Sequence, residues 1–158
     1  MNVIVGISEM RISRDPQDMI ITYSLGSCLG ISIYDPVIKI GGLVHCMLPT
    51  SSLDPIRATS NPCMFIDTGI ALLLDELTAL GATRKTVMIK AAGASSIFDE
   101  KGLFKIGERN YQAFKKVMEK MSLQPVAEDV RGNLSRTMTL YISNGTTTVK
   151  ASGREIAI

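Results

Sequence analysis

The chain has a single histidine, few cysteines and no apolar stretch near the roughly 20 residues that a membrane-spanning helix needs. Residues 1–15 lack the basic start and long apolar centre of a secretory signal, so a cytoplasmic protein without membrane insertion is expected. The three cysteines stand at 28, 46 and 63, an odd number with no C-x-x-C spacing. That pattern argues against a disulfide framework or a thioredoxin-like motif and for free thiols in a reducing compartment. Charge of one sign is scarce as well. Seventeen Lys and Arg against 15 Asp and Glu leave a formal +2, too small and dispersed to attract a nucleic acid.

Other chemistries are missing too. Gly41-Gly42 and Gly93 are not followed by the Lys and Ser or Thr that close a phosphate loop. Asp75, Glu76, Glu108 and Glu119 fall on expected helices, where a solvated face explains them better than a glycosidase pair does. There is no internal repeat, linker or low-complexity tract.

What is present is ordinary globular material: 158 residues, 46% hydrophobic and 20% charged. That length suffices to bury a core without disulfides or metals, and one domain over 1–158 is the expectation. Residues 3–12 alternate loosely and read as a first strand, broken by Asp15-Pro16. Met19, Ile20 and Ile21 make a short second strand ending at Thr22, and Leu25-Gly26-Ser27 reads as a tight turn. Strands are expected at 28–34 and 40–48, with Pro49 ending the second. Residues 50–62 hold two prolines and several Ser and Thr, and read as a surface loop.

Ile66, Ile70, Leu73, Leu74, Leu77 and Leu80 recur at helical spacing, with Gly81 placed to terminate a helix. A strand over 85–91 leads into a turn at 93–96, and a second helix begins near Gly107 with Tyr111, Phe114, Val117, Met118 and Met121 inward. Strands follow at 126–130 and 138–142. Asn144-Gly145 reads as a type I′ hairpin turn, returning the chain antiparallel over 146–151. The sum is an α/β class: a single layered domain with mixed, hairpin-rich sheets and two main helices, without a doubly wound nucleotide fold.

The pairing of 28–34 with 40–48 carries the functional argument. A two-residue loop makes facing positions sum to 73 and sets Cys28 opposite His45. A four-residue loop makes the sum 75, sets Gly30 opposite His45, and leaves Cys28 as its diagonal neighbour. In both registers Cys28 and His45 share a face, with Cβ atoms about 5 Å apart or about 7–8 Å on the diagonal. Odd loops would separate them. On that parity Leu29, Ile31, Ile33, Val44, Cys46 and Leu48 form an apolar core face, and Cys28, Gly30, Ser32, Tyr34, Gly41, Leu43, His45 and Met47 form a face with room for a substrate.

A thiol with an imidazole in reach is a way to build a nucleophile at neutral pH. Any such pair must use His45, and Cys46 points to the opposite face. Cys28 and Cys63 are left. Cys63 sits at the mouth of a helix, where a thiol pKa can be depressed, but nothing in the sequence brings it to His45. Cys28, just after the Gly26-Ser27 turn, is the better candidate. Taken alone, a lone cysteine is ordinarily a small buried hydrophobe and a lone histidine structural. Three Cys and one His suffice in number for zinc, but the spacing is wrong, so no metal or cofactor is expected.

Thr22, Leu25-Gly26-Ser27-Cys28 and His45 with Met47-Leu48-Pro49 resemble the CheD family of chemoreceptor glutamine deamidases. Asp67-Thr68, Gly93-Ala94-Ser95, Ile106-Gly107-Glu108-Arg109-Asn110, Ala127-Glu128-Asp129 and Gly132-Asn133 extend the resemblance over nearly the whole chain. Ala92-Gly93 stands where the family usually has two glycines, and Arg131-Gly132-Asn133 where it has Gly-Gly-Asn. The resemblance implies a nucleophilic Cys28, a general acid/base His45 and a Thr22 that orients the imidazole. It also implies a fold shared with deamidating bacterial toxins (CNF-like cysteine hydrolases), a methyl-accepting chemotaxis receptor as substrate and docking to a CheC-type phosphatase.

The expected reaction is hydrolysis of a receptor glutamine amide to glutamate through a thioester, with glutamate methyl ester hydrolysis open to the same machinery. Backbone N–H groups around Gly26, Ser27 and Cys28 would receive the oxyanion. The rival reading is a non-enzymatic chemotaxis adaptor that uses the same cleft for binding.

Overall fold

The structure is a computed structural model that describes residues 1–96 and 105–158. One sheet has the order β1 (Asn2–Val5), β3 (Met19–Leu25), β8 (Arg136–Tyr141), β9 (Thr147–Ala151), β10 (Arg154–Ala157). The other runs β2 (Met10–Ser13), β5 (Ile40–Cys46), β4 (Leu29–Asp35), β6 (Met88–Gly93), β7 (Ala127–Val130). Both are mixed, with β1–β3 and β6–β7 parallel and the remaining pairs antiparallel. The α-helices are α1 (Pro55–Ser60), α2 (Ile66–Ala79) and α3 (Ile106–Lys120).

Two cores explain the layering. Val5, Ile20, Leu25, Met138, Leu140 and Val149 of the first sheet pack with Tyr34, Leu43 and Ala92 of the second. On the far side of the second sheet, Leu29, Ile31, Ile33, Val44, Cys46, Ile89 and Ala91 pack under Ile70, Leu73 and Leu77 of α2 and Phe114 and Met118 of α3. The arrangement is thus sheet, sheet, helices. Strands β4 and β5 are buried at every residue because they are covered on both faces. The expected apolar face is the one that meets the helices. The opposite face does not hold room for a substrate, because the first sheet covers it. A Cβ on Gly30 would lie 2.9 Å from Met138 Sδ, and one on Gly41 would lie 3.0 Å from a Leu140 methyl. These glycines make room for the facing sheet.

The β4–β5 hairpin adopts the four-residue loop, with Asp35 opposite Ile40 and Gly30 opposite His45. Several expectations need correction. Residues 3–12 are not one strand: a turn with Ser8 at φ 61 divides them into β1 and β2, which join different sheets. Strand β3 runs on past Thr22 to Leu25 through an irregularity, with Ser24 at φ 59. The 40–48 strand ends at Cys46 and the 85–91 strand is β6, shifted toward Gly93.

The loop at 50–62 contains α1, whose Asp54 cap accepts from the Arg57 N–H with Pro55 at the first position. Asn144-Gly145 is part of a four-residue loop, in which Asn144 Oδ1 accepts from the Thr146 N–H and only Gly145 has positive φ. Positive φ at both central residues, as a type I′ turn requires, occurs instead at Ser152-Gly153, which leads into the unexpected β10.

The two long helices follow the sequence pattern. Helix α2 closes with the Ala82 N–H on Leu77 O and the Gly81 N–H on Thr78 O, the paired bonds of a Schellman stop, with Gly81 at φ 110. Leu73 is fully buried under β5, where Gly42 lets the helix approach. Leu73→Ala is expected to lower folding stability by about 2–5 kcal/mol in urea titration. Val37→Ala, on the exposed hairpin loop, should change it by under about 0.5 kcal/mol.

Candidate active site

The ladder between β4 and β5 ends at Leu29 opposite Cys46. Cys28 is therefore one residue outside it, on the turn that brings the chain across from β3 in the first sheet to β4 in the second. His45 lies inside β5 and is fully buried on the face that meets the first sheet, while Cys28 is half-buried at the open end. With Gly30 opposite His45, Cys28 is the diagonal neighbour on the same face.

The third expected residue arrives from the other sheet. Thr22 of β3 is fully buried, and its Oγ1 is 2.7 Å from His45 Nδ1. The same hydroxyl donates to the Val5 carbonyl at 2.8 Å. A threonine hydroxyl has one hydrogen, so with that hydrogen on Val5 the oxygen accepts from Nδ1–H. The network thereby assigns the tautomer: Nδ1 carries the proton and Nε2 presents a lone pair. Nε2 is buried and has no hydrogen-bond partner among the described residues. The His45 main chain is held as well, its N–H on Glu9 O at 3.0 Å and its carbonyl taking the Ser8 N–H at 2.8 Å.

Burial without a compensating anion pushes His45 down to about 4. Burial also pushes the Cys28 thiol up, partly offset by its own amide N–H. At neutral pH the two groups are therefore a neutral imidazole and a neutral thiol. This is the form in which Nε2 acts as a general base. Cys46 is fully buried toward the helices with its thiol pushed well up by burial, and Cys63 is buried beside α2. Neither faces His45. Among the described residues no group of three or more His, Cys, Asp or Glu gathers as a metal site.

The Cys28 turn is built from behind. Gly26 O accepts the Ser95 N–H at 2.8 Å, and Cys28 O accepts the Ala94 N–H at 2.8 Å. Gly93, at φ 116, has no room for a side chain, since a Cβ would lie 2.3 Å from Cys28 O. Residues 131–132 brace that segment in turn, with the Arg131 N–H on Gly93 O and the Ser96 N–H on Gly132 O, each at 2.9 Å. Buried Arg136 bonds Ser95 Oγ at 2.7 Å and Arg131 O at 2.8 Å.

Arg131 holds φ 70, a left-handed conformation that favours glycine. Its guanidinium makes two bonds to Glu108 at 2.9 and 3.0 Å and lies 4.6 Å from the centre of the Tyr111 ring. The sequence reading missed the residue that ties the turn to the hairpin, Asn110. Its Nδ2 donates to Ser27 O at 2.8 Å and to Met47 O at 3.0 Å. The signal was an asparagine on the buried stripe of α3, one turn before Phe114.

Known proteins resemble this chain along nearly its whole length. A family model described as CheD chemotactic sensory transduction matches residues 47–151. A curated protein of Syntrophus aciditrophicus, named probable chemoreceptor glutamine deamidase CheD 1, is 45% identical over 152 residues, 96% of this chain and 95% of its own length. Proteins of the same activity name from Solibacter usitatus and Anaeromyxobacter dehalogenans are 42% and 41% identical, over 97% and 98% of this chain and 90% and 97% of theirs. The family match begins two residues past His45, so the relatives of near-full coverage carry the likeness across the Cys28 hairpin.

The depressed His45 has a consequence for stability. The unfolded chain takes up a proton near pH 6.5, and the folded chain does not until about pH 4. Stability therefore falls as pH drops through that window and is level above it. Urea midpoints from pH 4 to 7.5 should show this rise in the wild type and a smaller one in His45→Gln. Parallel curves would contradict the assignment.

Proposed function

The chain belongs to the CheD family, and on that premise we propose that it is a cysteine-dependent glutamine deamidase acting on methyl-accepting chemotaxis receptors. The observation that carries the reading is the Thr22–His45 hydrogen bond, which leaves a buried, unpartnered Nε2 on the face shared with Cys28. The same reading takes residues 1–158 as one domain, because both sheets contribute to one interlayer core.

The steps follow from the neutral pair. As sulfur attacks the carboxamide carbon, the thiol proton passes to His45 Nε2. The imidazolium is stabilised by Thr22 Oγ1 on Nδ1–H, and the oxyanion by the Ser27 and Cys28 amide N–H groups. Gly26 acts through position, since its own N–H is on Ser24 O. Collapse breaks the C–N bond, and Nε2–H protonates the leaving nitrogen to give ammonia and a thioester. Water then gives a proton to Nε2 and adds to the acyl carbon. Collapse returns sulfur as the thiol and releases glutamate. A glutamate methyl ester fits the same sequence with methanol as the leaving group.

Family membership supports three finer parts of this reading: a fold shared with deamidating bacterial toxins, a cytoplasmic site of action and docking to a CheC-type phosphatase. No helix among the described residues is long and apolar enough to cross a membrane.

The test is incubation with a receptor cytoplasmic fragment, following ammonia release and a mass gain of about one dalton per amide converted. Wild type should show both and Cys28→Ala neither. A fully active Cys28→Ala would overturn the proposal. Thr22→Val, which frees the ring to choose its tautomer, should lower kcat about 10- to 100-fold, a part of what general acid–base catalysis contributes.

A further inference from the structure

We propose that Asn110 is a positioning residue that aims the Cys28 amide N–H at the oxyanion. The inference rests on the hydrolytic reading of Cys28 and names a residue that this reading does not include.

The argument begins where the hairpin ladder stops. Beyond Leu29 opposite Cys46, no main-chain pairing continues between the strand that leads from Cys28 and the strand that carries His45. Asn110 supplies the missing tie from α3. One hydrogen of its Nδ2 goes to Ser27 O at 2.8 Å and the other to Met47 O at 3.0 Å. An amide nitrogen has two hydrogens, so both are spent. One side chain thus fastens the residue before the nucleophile to the residue two past the base.

Peptide planarity gives that tie its chemical meaning. In a trans peptide the carbonyl and the following N–H point in opposite directions within one plane. Among the described residues there is no cis peptide. Holding Ser27 O therefore sets the direction of the Cys28 N–H, which points away from Asn110. The carbonyls on either side are held as well, Gly26 O by the Ser95 N–H and Cys28 O by the Ala94 N–H. Only the central tie comes from a side chain, and so only it is open to a clean substitution.

Asn110 also has a feature that packing does not explain. It is fully buried, and its Oδ1 has no hydrogen-bond partner among the described residues. The neighbouring buried positions of α3 are Ala113, Phe114 and Val117, and an apolar residue in their company would leave no orphaned acceptor. The asparagine is needed for its two donors.

The experiment compares Asn110→Ala and the isosteric Asn110→Asp with wild type by urea titration, steady-state kinetics on a receptor cytoplasmic fragment and the pH profile of Cys28 alkylation by iodoacetamide. Loss of an oxyanion donor's aim should lower kcat about 100-fold with KM within about twofold. Asn110→Asp, whose carboxylate would face two carbonyls, should fall further. The Cys28 N–H also offsets burial at the thiol, so the alkylation profile should move to higher pH in both variants. The proposal is overturned if kcat stays within about threefold of wild type, if the loss lies in KM, if the alkylation profile does not move, or if neither variant unfolds cooperatively. A wild type that releases no ammonia would instead sink the deamidase reading, and the alkylation profiles would still decide whether Asn110 governs the Cys28 amide.

Discussion

The site depends on one constraint, the even length of the loop at 36–39. Four residues there put Gly30 opposite His45, and strand side chains alternate with period two. A loop one residue shorter would rotate His45 toward α2 while Cys28 stayed on the other face. The same parity sends Leu29, Ile31, Ile33 and Val44 to the helices and Tyr34 and Leu43 to the facing sheet. Register, core and site are therefore one choice. Slipping the register would expose the His45 pair and unpack both cores together.

Burial does the electrostatic work. His45 sits between two sheets, and among the described residues a neutral threonine oxygen is its only side-chain hydrogen-bond partner. An aspartate in Thr22's place would raise the imidazole pKa and favour a resting ion pair with the thiol. The neutral partner leaves both groups uncharged at neutral pH, while still setting which nitrogen presents its lone pair. The Val5 carbonyl enforces this by taking the only hydroxyl hydrogen.

The Cys28 turn is held in place by hydrogen bonds to its main chain. All three carbonyls of residues 26–28 are bound, Gly26 O and Cys28 O by the Ser95 and Ala94 N–H groups and Ser27 O by Asn110. Gly93 permits the close approach, and the 131–132 turn and Arg136 brace it. Arg131 shows how a side chain offsets an unfavourable backbone: its left-handed conformation coexists with two bonds to Glu108 and contact with Tyr111.

Local physics alone determined much of this protein. Helices α2 and α3 were legible because each keeps its apolar stripe for about four turns, and the face shared by Cys28 and His45 was legible because the apolar pattern favours an even loop, after which strand period sets both on one side. Where structure rests on distant partners, the sequence had less to say. The loose alternation over 3–12 hid a change of sheet, and Asn144-Gly145 and Ser152-Gly153 exchanged the roles their residue types suggest, because pairing partners choose the loop length. The small residues Gly30 and Gly41 read as space for a substrate. Only tertiary structure showed that Met138 and Leu140 of the other sheet fill it. Thr22 was nominated by family likeness, but its bond to Nδ1 needs β3 and β5 to face each other across two sheets. Asn110 needs α3 seated over the open end of the hairpin. Such contacts join residues 23 and more than 60 positions apart, and no periodicity reaches that far.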